Sequence, residues 1–199
     1  MEKKAPDKIG VKLGMWLFLY TEIMLFGGLF ILYAVYYSKY TADFIDAGKD
    51  LDLLLGASNT VILLISSFTV AAAITAVRRQ KNRLAMGLIG ASILLGLVFL
   101  VNKYFEWGYK FEKGLYPGSD VLLDAAPGKN LFFALYYFIT GLHGLHILIG
   151  LTLLSVSLIF IIKKRIQSNR FAVLENSGLY WHLVDLIWIF IFPLFYLIL

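Results

Sequence analysis

The stretch Asn130-Leu-Phe-Phe-Ala-Leu-Tyr-Tyr-Phe-Ile-Thr-Gly-Leu-His-Gly-Leu-His-Ile-Leu-Ile-Gly150, continued by Leu-Thr-Leu-Leu-Ser-Val-Ser-Leu-Ile-Phe-Ile-Ile162, runs from 130 to 162 without Asp, Glu, Lys or Arg. As a helix it would be about 50 Å long, more than the roughly 30 Å hydrocarbon core of a bilayer. Its apolar residues lie on all sides of the helix, not in one stripe, as expected of a helix surrounded by lipid and other helices. Working outward, four further runs have the same character: about 14–37, 53–77, 84–104 and 179–199. Each holds about 20 or more residues, enough to cross. The fold class is therefore all-α: a polytopic transmembrane helix bundle with five spans. The over-long fourth span must tilt or project into water.

Composition agrees. Of 199 residues, 60% are hydrophobic and 16% charged, where a soluble domain carries about 25% charged residues. No polar stretch is long enough for a separate soluble domain, so residues 1–199 read as one membrane domain. The segment Met1–Lys12 looks like the start of a signal peptide. The apolar run behind it is too long for one and lacks a small-residue cleavage site, so it reads as a retained helix. The chain contains no cysteine, which removes disulfides, thiolate metal sites and iron–sulfur clusters. The +5 formal charge would suggest nucleic acid in a soluble protein. Here it reads as loop charge that orients the chain and meets lipid headgroups, with no nucleic-acid partner.

Orientation follows from where the cations fall. Lys3, Lys4, Lys8 and Lys12 precede the first span, Arg78, Arg79, Lys81 and Arg83 follow the second, and Lys163, Lys164, Arg165 and Arg170 follow the fourth. The opposite side holds fewer cations, namely Lys39, Lys49, Lys103, Lys110, Lys113 and Lys129, and most of the acids. The excess of Lys and Arg predicts a cytoplasmic N-terminus and a C-terminus outside. The connection 106–129, with Pro117, Gly118, Pro127 and Gly128, reads as an external loop.

Ionisable groups within spans are costly and therefore mark candidate sites. Glu22 lies about 12 Å inside the cytoplasmic end of span one, and Asp185 about 9 Å inside that of span five, with His182 one turn earlier. His143 and His146 share one face near the middle of span four. Glu106 stands at the outer end of span three. Two readings of the histidines compete. One is a metal or haem site, which depth denies to His182. The other is hydrogen bonding between helices packed closely at Gly141, Gly144 and Gly150. Glu22 is either a proton carrier or an interhelical partner, and its depth suggests contact with His182 and Asp185. Asn59, Thr60, Ser66, Ser67 and Thr69 read as packing groups. No Walker loop, dinucleotide fingerprint or nucleophile elbow is present.

Motifs narrow this further. Gly14-Met-Trp-Leu-Phe-Leu-Tyr-Thr-Glu22-Ile-Met-Leu-Phe-Gly-Gly28 resembles the helix of subunit III of haem-copper terminal oxidases that carries a buried glutamate. Asn59-Thr-Val-Ile-Leu-Leu-Ile-Ser-Ser67, Phe105-Glu-Trp107, Thr140-Gly-Leu-His-Gly-Leu-His-Ile-Leu-Ile-Gly150 and Tyr180-Trp-His-Leu-Val-Asp-Leu-Ile-Trp188 resemble four further motifs of that family, in the family's order. The resemblance covers nearly the whole chain and is most specific at His143-Gly-Leu-His146.

It implies a non-catalytic subunit of a respiratory oxidase in a bacterial cytoplasmic membrane, beside subunits I and II, which carry haem and copper. This chain would hold no catalytic residue, metal or haem of its own. Glu22 corresponds to the family's buried glutamate, and His143, His146, His182 and Asp185 to its buried polar positions. Bound phospholipid is also implied, with Trp16, Arg78, Arg79 and Trp181 as candidate contacts. The common form has seven helices, the first two set apart by a lipid-filled cleft, and this chain begins at the equivalent of the third. Short relatives associated with nitric oxide reductases, and quinol oxidases, share these motifs, so the partner complex and the electron donor are left open.

Overall fold

The computed structural model describes residues 8–164 and 172–198. Lys3 and Lys4 of the basic tail, Arg165 and Arg170 of the last basic loop, and Leu199 lie outside them. Among the described residues seven helices appear in order: α1 (Lys8–Lys39), α2 (Thr41–Gly48), α3 (Leu53–Arg78), α4 (Asn82–Glu112), α5 (Asp120–Leu123), α6 (Pro127–Ile162) and α7 (Ala172–Tyr196). Five of them, α1, α3, α4, α6 and α7, are long and apolar enough to cross a membrane. They match the five expected spans.

Helices α3, α4, α6 and α7 form a ring in which α3 packs on α4 and α7, and α6 on α4 and α7. Helix α1 lies outside the ring, touching α2, α6 and α7. Its exposed face carries Trp16, Leu17, Ile23, Met24 and Ile31. Large apolar side chains such as Leu54, Phe68 and Tyr104 likewise stand exposed around the ring, an exterior suited to lipid and not to water.

Close approach is set by a few glycines. A Cβ on Gly96 would lie 2.8 Å from Trp181, and one on Gly150 would lie 2.7 Å from the same indole. The Trp181 ring therefore fills a slot between α4 and α6. Gly141 faces Trp107 at 3.2 Å, whereas a Cβ on Gly144 would meet nothing within 4 Å. Of the three glycines expected to permit close packing, Gly150 does so most clearly and Gly144 does not.

Three expectations change. Helix α4 continues through Glu112, so the loop does not begin at Glu106, and Lys110 is a helical and not a loop cation. Each lysine meets Glu106 on the same helical face (Lys103 at i−3, Lys110 at i+4), and this lets the helix persist past the apolar run. The loop itself contains α5, whose first turn is capped where the Ser119 hydroxyl accepts from the Leu122 amide at 3.3 Å. Helices α1 and α7 also begin earlier than expected. Glu22 is 14 residues past Lys8, about 21 Å along α1, and Asp185 is 13 past Ala172, about 20 Å along α7.

At the acid-rich end, α2 folds under the start of α6. The Gly128 amide donates to Asp43 at 3.1 Å, and a Cβ there would lie 2.6 Å from that of Tyr40. Lys129 pairs with Asp46 at 3.2 Å and Asp50 at 3.0 Å. Above this seam Tyr33, Phe44, Phe132 and Phe195 meet edge to face, with centroids 5.0–5.5 Å apart.

Candidate functional site

The buried polar groups gather in three places. The first lies between α1 and α6. The His146 Nδ1 sits 2.7 Å from the Leu142 carbonyl oxygen, one turn back on its own helix. A carbonyl can only accept, so Nδ1 carries a proton. The other nitrogen, Nε2, lies 2.9 Å from Oε2 of Glu22. Either the carboxyl is protonated and donates to a neutral imidazole, or an imidazolium donates to a carboxylate. In both states one proton lies between Nε2 and Oε2. Phe26 meets the His146 ring edge-on at 5.2 Å and Tyr180 stacks on it at 6.4 Å. The Glu22 side chain is 15% exposed.

This pairing with α6 stands in place of the expected contact of Glu22 with His182 and Asp185. His182 instead places Nδ1 2.6 Å from the Ser67 hydroxyl on α3. Asp185, one turn further along α7, is buried, and its Oδ1 has no hydrogen-bond partner among the described residues. His143 is fully buried three residues before His146, and neither ring nitrogen has a hydrogen-bond partner among the described residues. Its ring packs on Phe99 at 5.7 Å and Trp188 at 5.2 Å. So His143 and His146 share a face but not a site. Among the described residues no group of three His, Asp or Glu side chains is placed to hold a metal ion.

The second cluster lies toward the acid-rich end and centres on Glu106, 3% exposed. Lys103 reaches its Oε2 at 3.0 Å, and Lys110 reaches Oε1 at 2.9 Å. The hydroxyls of Tyr136 and Tyr196 each donate to Oε1 at 2.7 Å. Lys103 also donates to both tyrosine oxygens, at 2.9 and 3.0 Å. One carboxylate thus joins α4, α6 and α7. The sequence reading found Glu106 but missed Lys103, Lys110, Tyr136 and Tyr196. The signal for the lysines was present: Lys103, Glu106 and Lys110 recur at three- and four-residue spacing, which aligns them on one face.

The third cluster knits α3 to α4 and α7. The Trp181 indole donates to the Ser66 hydroxyl at 3.1 Å, and the Thr69 and Ser92 hydroxyls lie 2.7 Å apart. The Trp188 indole donates to Thr60 at 3.0 Å, and Asn102 donates to Asn59 at 2.8 Å. Trp181 is 1% exposed, so its assignment as a lipid contact is corrected to a packing role. Trp16, Arg78 and Arg79 are exposed, and Arg78 pairs with Glu175 at 2.6 Å.

Fold and site together define an integral membrane protein whose polar side chains join helices to one another. Residues 2–198 match the family described as cytochrome c oxidase subunit III. The chain is similar to cytochrome c oxidase subunit 3 of Synechocystis sp., at 34% identity over 188 residues, covering 93% of this chain and 74% of that protein. It is similar to a probable quinol oxidase subunit 3 of Staphylococcus epidermidis, at 33% over 195 residues and 94% and 88% coverage. A cytochrome bo(3) ubiquinol oxidase subunit 3 of Buchnera aphidicola is 28% identical over 186 residues, with 92% and 84% covered. The chain belongs to the cytochrome c oxidase subunit III family, and so to the third subunits of haem-copper oxidase complexes.

Proposed function

We propose that this chain is a non-catalytic subunit of a proton-translocating respiratory oxidase in a bacterial cytoplasmic membrane. It packs beside subunit I and serves proton uptake through Glu22 and His146. Haem and copper belong to subunits I and II, and the electron donor, cytochrome c or quinol, binds elsewhere in the complex. The observation that carries the reading is the Glu22–His146 contact of 2.9 Å. It is an ionisable pair at the peripheral helix, partly reachable from outside the bundle and sharing one proton. Such a group offers a relay a place to pause in a medium where bare charges are expensive. The Lys103–Glu106–Lys110 cluster, sealed by two tyrosines, acts as structure.

The test is Glu22→Gln in the native complex. The amide can still donate to Nε2, so the complex assembles, but it cannot release a proton. Sustained turnover should fall more than the initial rate, measured as oxygen consumption over many turnovers. A complex that fails to assemble would assign Glu22 a purely structural role. Purification in gentle detergent tests the assignment itself: oxidase chains and an a- or o-type haem spectrum should accompany the protein.

A further inference from the structure

Asp185 is the buried carboxyl that neither the Glu22–His146 pair nor the Glu106 cluster uses. It lies 5% exposed on α7, and its Oδ1 has no hydrogen-bond partner among the described residues. A bare carboxylate oxygen shut between membrane helices is costly, and a proton on the carboxyl removes most of that cost. Such a proton needs a way in. The Ser67 hydroxyl of α3 supplies one step, because it interacts with the Asp185 carboxyl and lies 2.6 Å from Nδ1 of His182. His182 stands one turn, about 4.5 Å, before Asp185 on α7. It also lines an open hollow of about 310 Å³ together with Lys12 of α1, Arg78 of α3 and Glu175 of α7. Those three charged groups place the hollow at the basic end of the bundle, where Lys and Arg gather. A hollow of that volume with a charged lining admits several water molecules, each of which takes about 30 Å³ in the liquid.

We propose that Asp185 is a buried proton store, loaded and emptied from the basic end through His182 and Ser67. The chemistry of the three groups fits their order. A neutral imidazole carries a donor on one nitrogen and an acceptor on the other, and a hydroxyl both donates and accepts. In loading, a hydronium ion in the hollow gives a proton to Nε2 of His182. The Nδ1 proton passes to Ser67 Oγ, and the Ser67 hydroxyl proton passes to the Asp185 carboxylate. One proton enters and one arrives, so Ser67 keeps its hydroxyl and His182 ends as its other neutral tautomer. Release runs the same steps backward and restores the first tautomer. No step involves Glu22, which pairs with His146 between α1 and α6. The inference rests on the membrane placement of the chain, and it gives the proton-uptake reading a second carboxyl that stands or falls by itself.

The experiment is infrared spectroscopy of the native complex, following the carbonyl stretch of protonated carboxyls as water is replaced by deuterated water. Difference spectra between unmodified and variant complexes isolate the contribution of one residue. Asp185→Asn should remove a protonated-carboxyl band that shifts on deuteration, and Glu22→Gln should leave that band in place. Ser67→Ala takes one hydroxyl from a half-buried helical position. It should keep the band and slow its shift by roughly tenfold, the worth of one hydrogen bond in the path. His182→Phe should slow the shift likewise. Persistence of every such band in Asp185→Asn, loss of the band in Glu22→Gln, or a shift in Ser67→Ala as fast as in the unmodified complex would each overturn the proposal. Should Asp185→Asn fail to assemble, the rate in Ser67→Ala decides. Oxygen consumption by Glu22→Gln tests the separate reading of that residue, so the two can fail independently.

Discussion

Glu106 shows how a charged residue survives inside a membrane helix. Its carboxylate accepts from two lysines and two tyrosines, so nothing on it is left without a donor. The cluster holds two cations and one anion, which makes the carboxylate the component it can least spare. Glu106→Gln should destabilise the protein by about 3–5 kcal/mol, the cost typical of leaving buried charges unpaired. Lys110→Met should cost clearly less, because Lys103 and both tyrosines still hold the carboxylate and the charges balance. Denaturant unfolding of the purified chain in detergent would rank the two. The Glu22–His146 pair is smaller and partly exposed.

At the scale of the helix, docking of α7 depends on how deeply Trp181 enters the slot between Gly96 and Gly150. Gly150→Val would place side-chain atoms inside the indole, which a Cβ alone approaches to 2.7 Å. The expected cost is roughly 1–3 kcal/mol, as for other overpacked cores. Gly144→Ala, where a Cβ meets nothing within 4 Å, should be neutral or slightly stabilising, since alanine favours helix over glycine by up to about 1 kcal/mol. Thermal unfolding of the two variants in the same detergent would separate them. The glycines look alike in the sequence, spaced along one span; only the position of Trp181 on another helix tells them apart.

Across the whole molecule, the distribution of Lys and Arg predicts an orientation that labelling can check. The chain has no cysteine, so single cysteines report without interference. Asp124→Cys, in the loop after α5, should react with an impermeant maleimide on intact spheroplasts. Lys81→Cys, between α3 and α4, should react only after lysis. The reverse pattern would place the basic loops outside and overturn the assigned topology.

Five spans, the all-helical class and the family were legible in the sequence, because the bilayer demands long uncharged runs and the motifs are local. Glu22, Glu106, His143, His146, His182 and Asp185 were legible as candidates because ionisable residues are rare among lipids. Their partners were not. Apolar runs mark where hydrophobicity ends, whereas helices continue wherever backbone hydrogen bonds and paired charges allow. Read from those runs, Lys110 fell in a loop, whereas it is helical. The tertiary structure decided that Glu22 meets His146, that Tyr136 and Tyr196 close over Glu106, and that Trp181 is core. Each of these depends on the relative height and rotation of separate helices, which packing of side chains on different helices fixes and no single run of sequence contains.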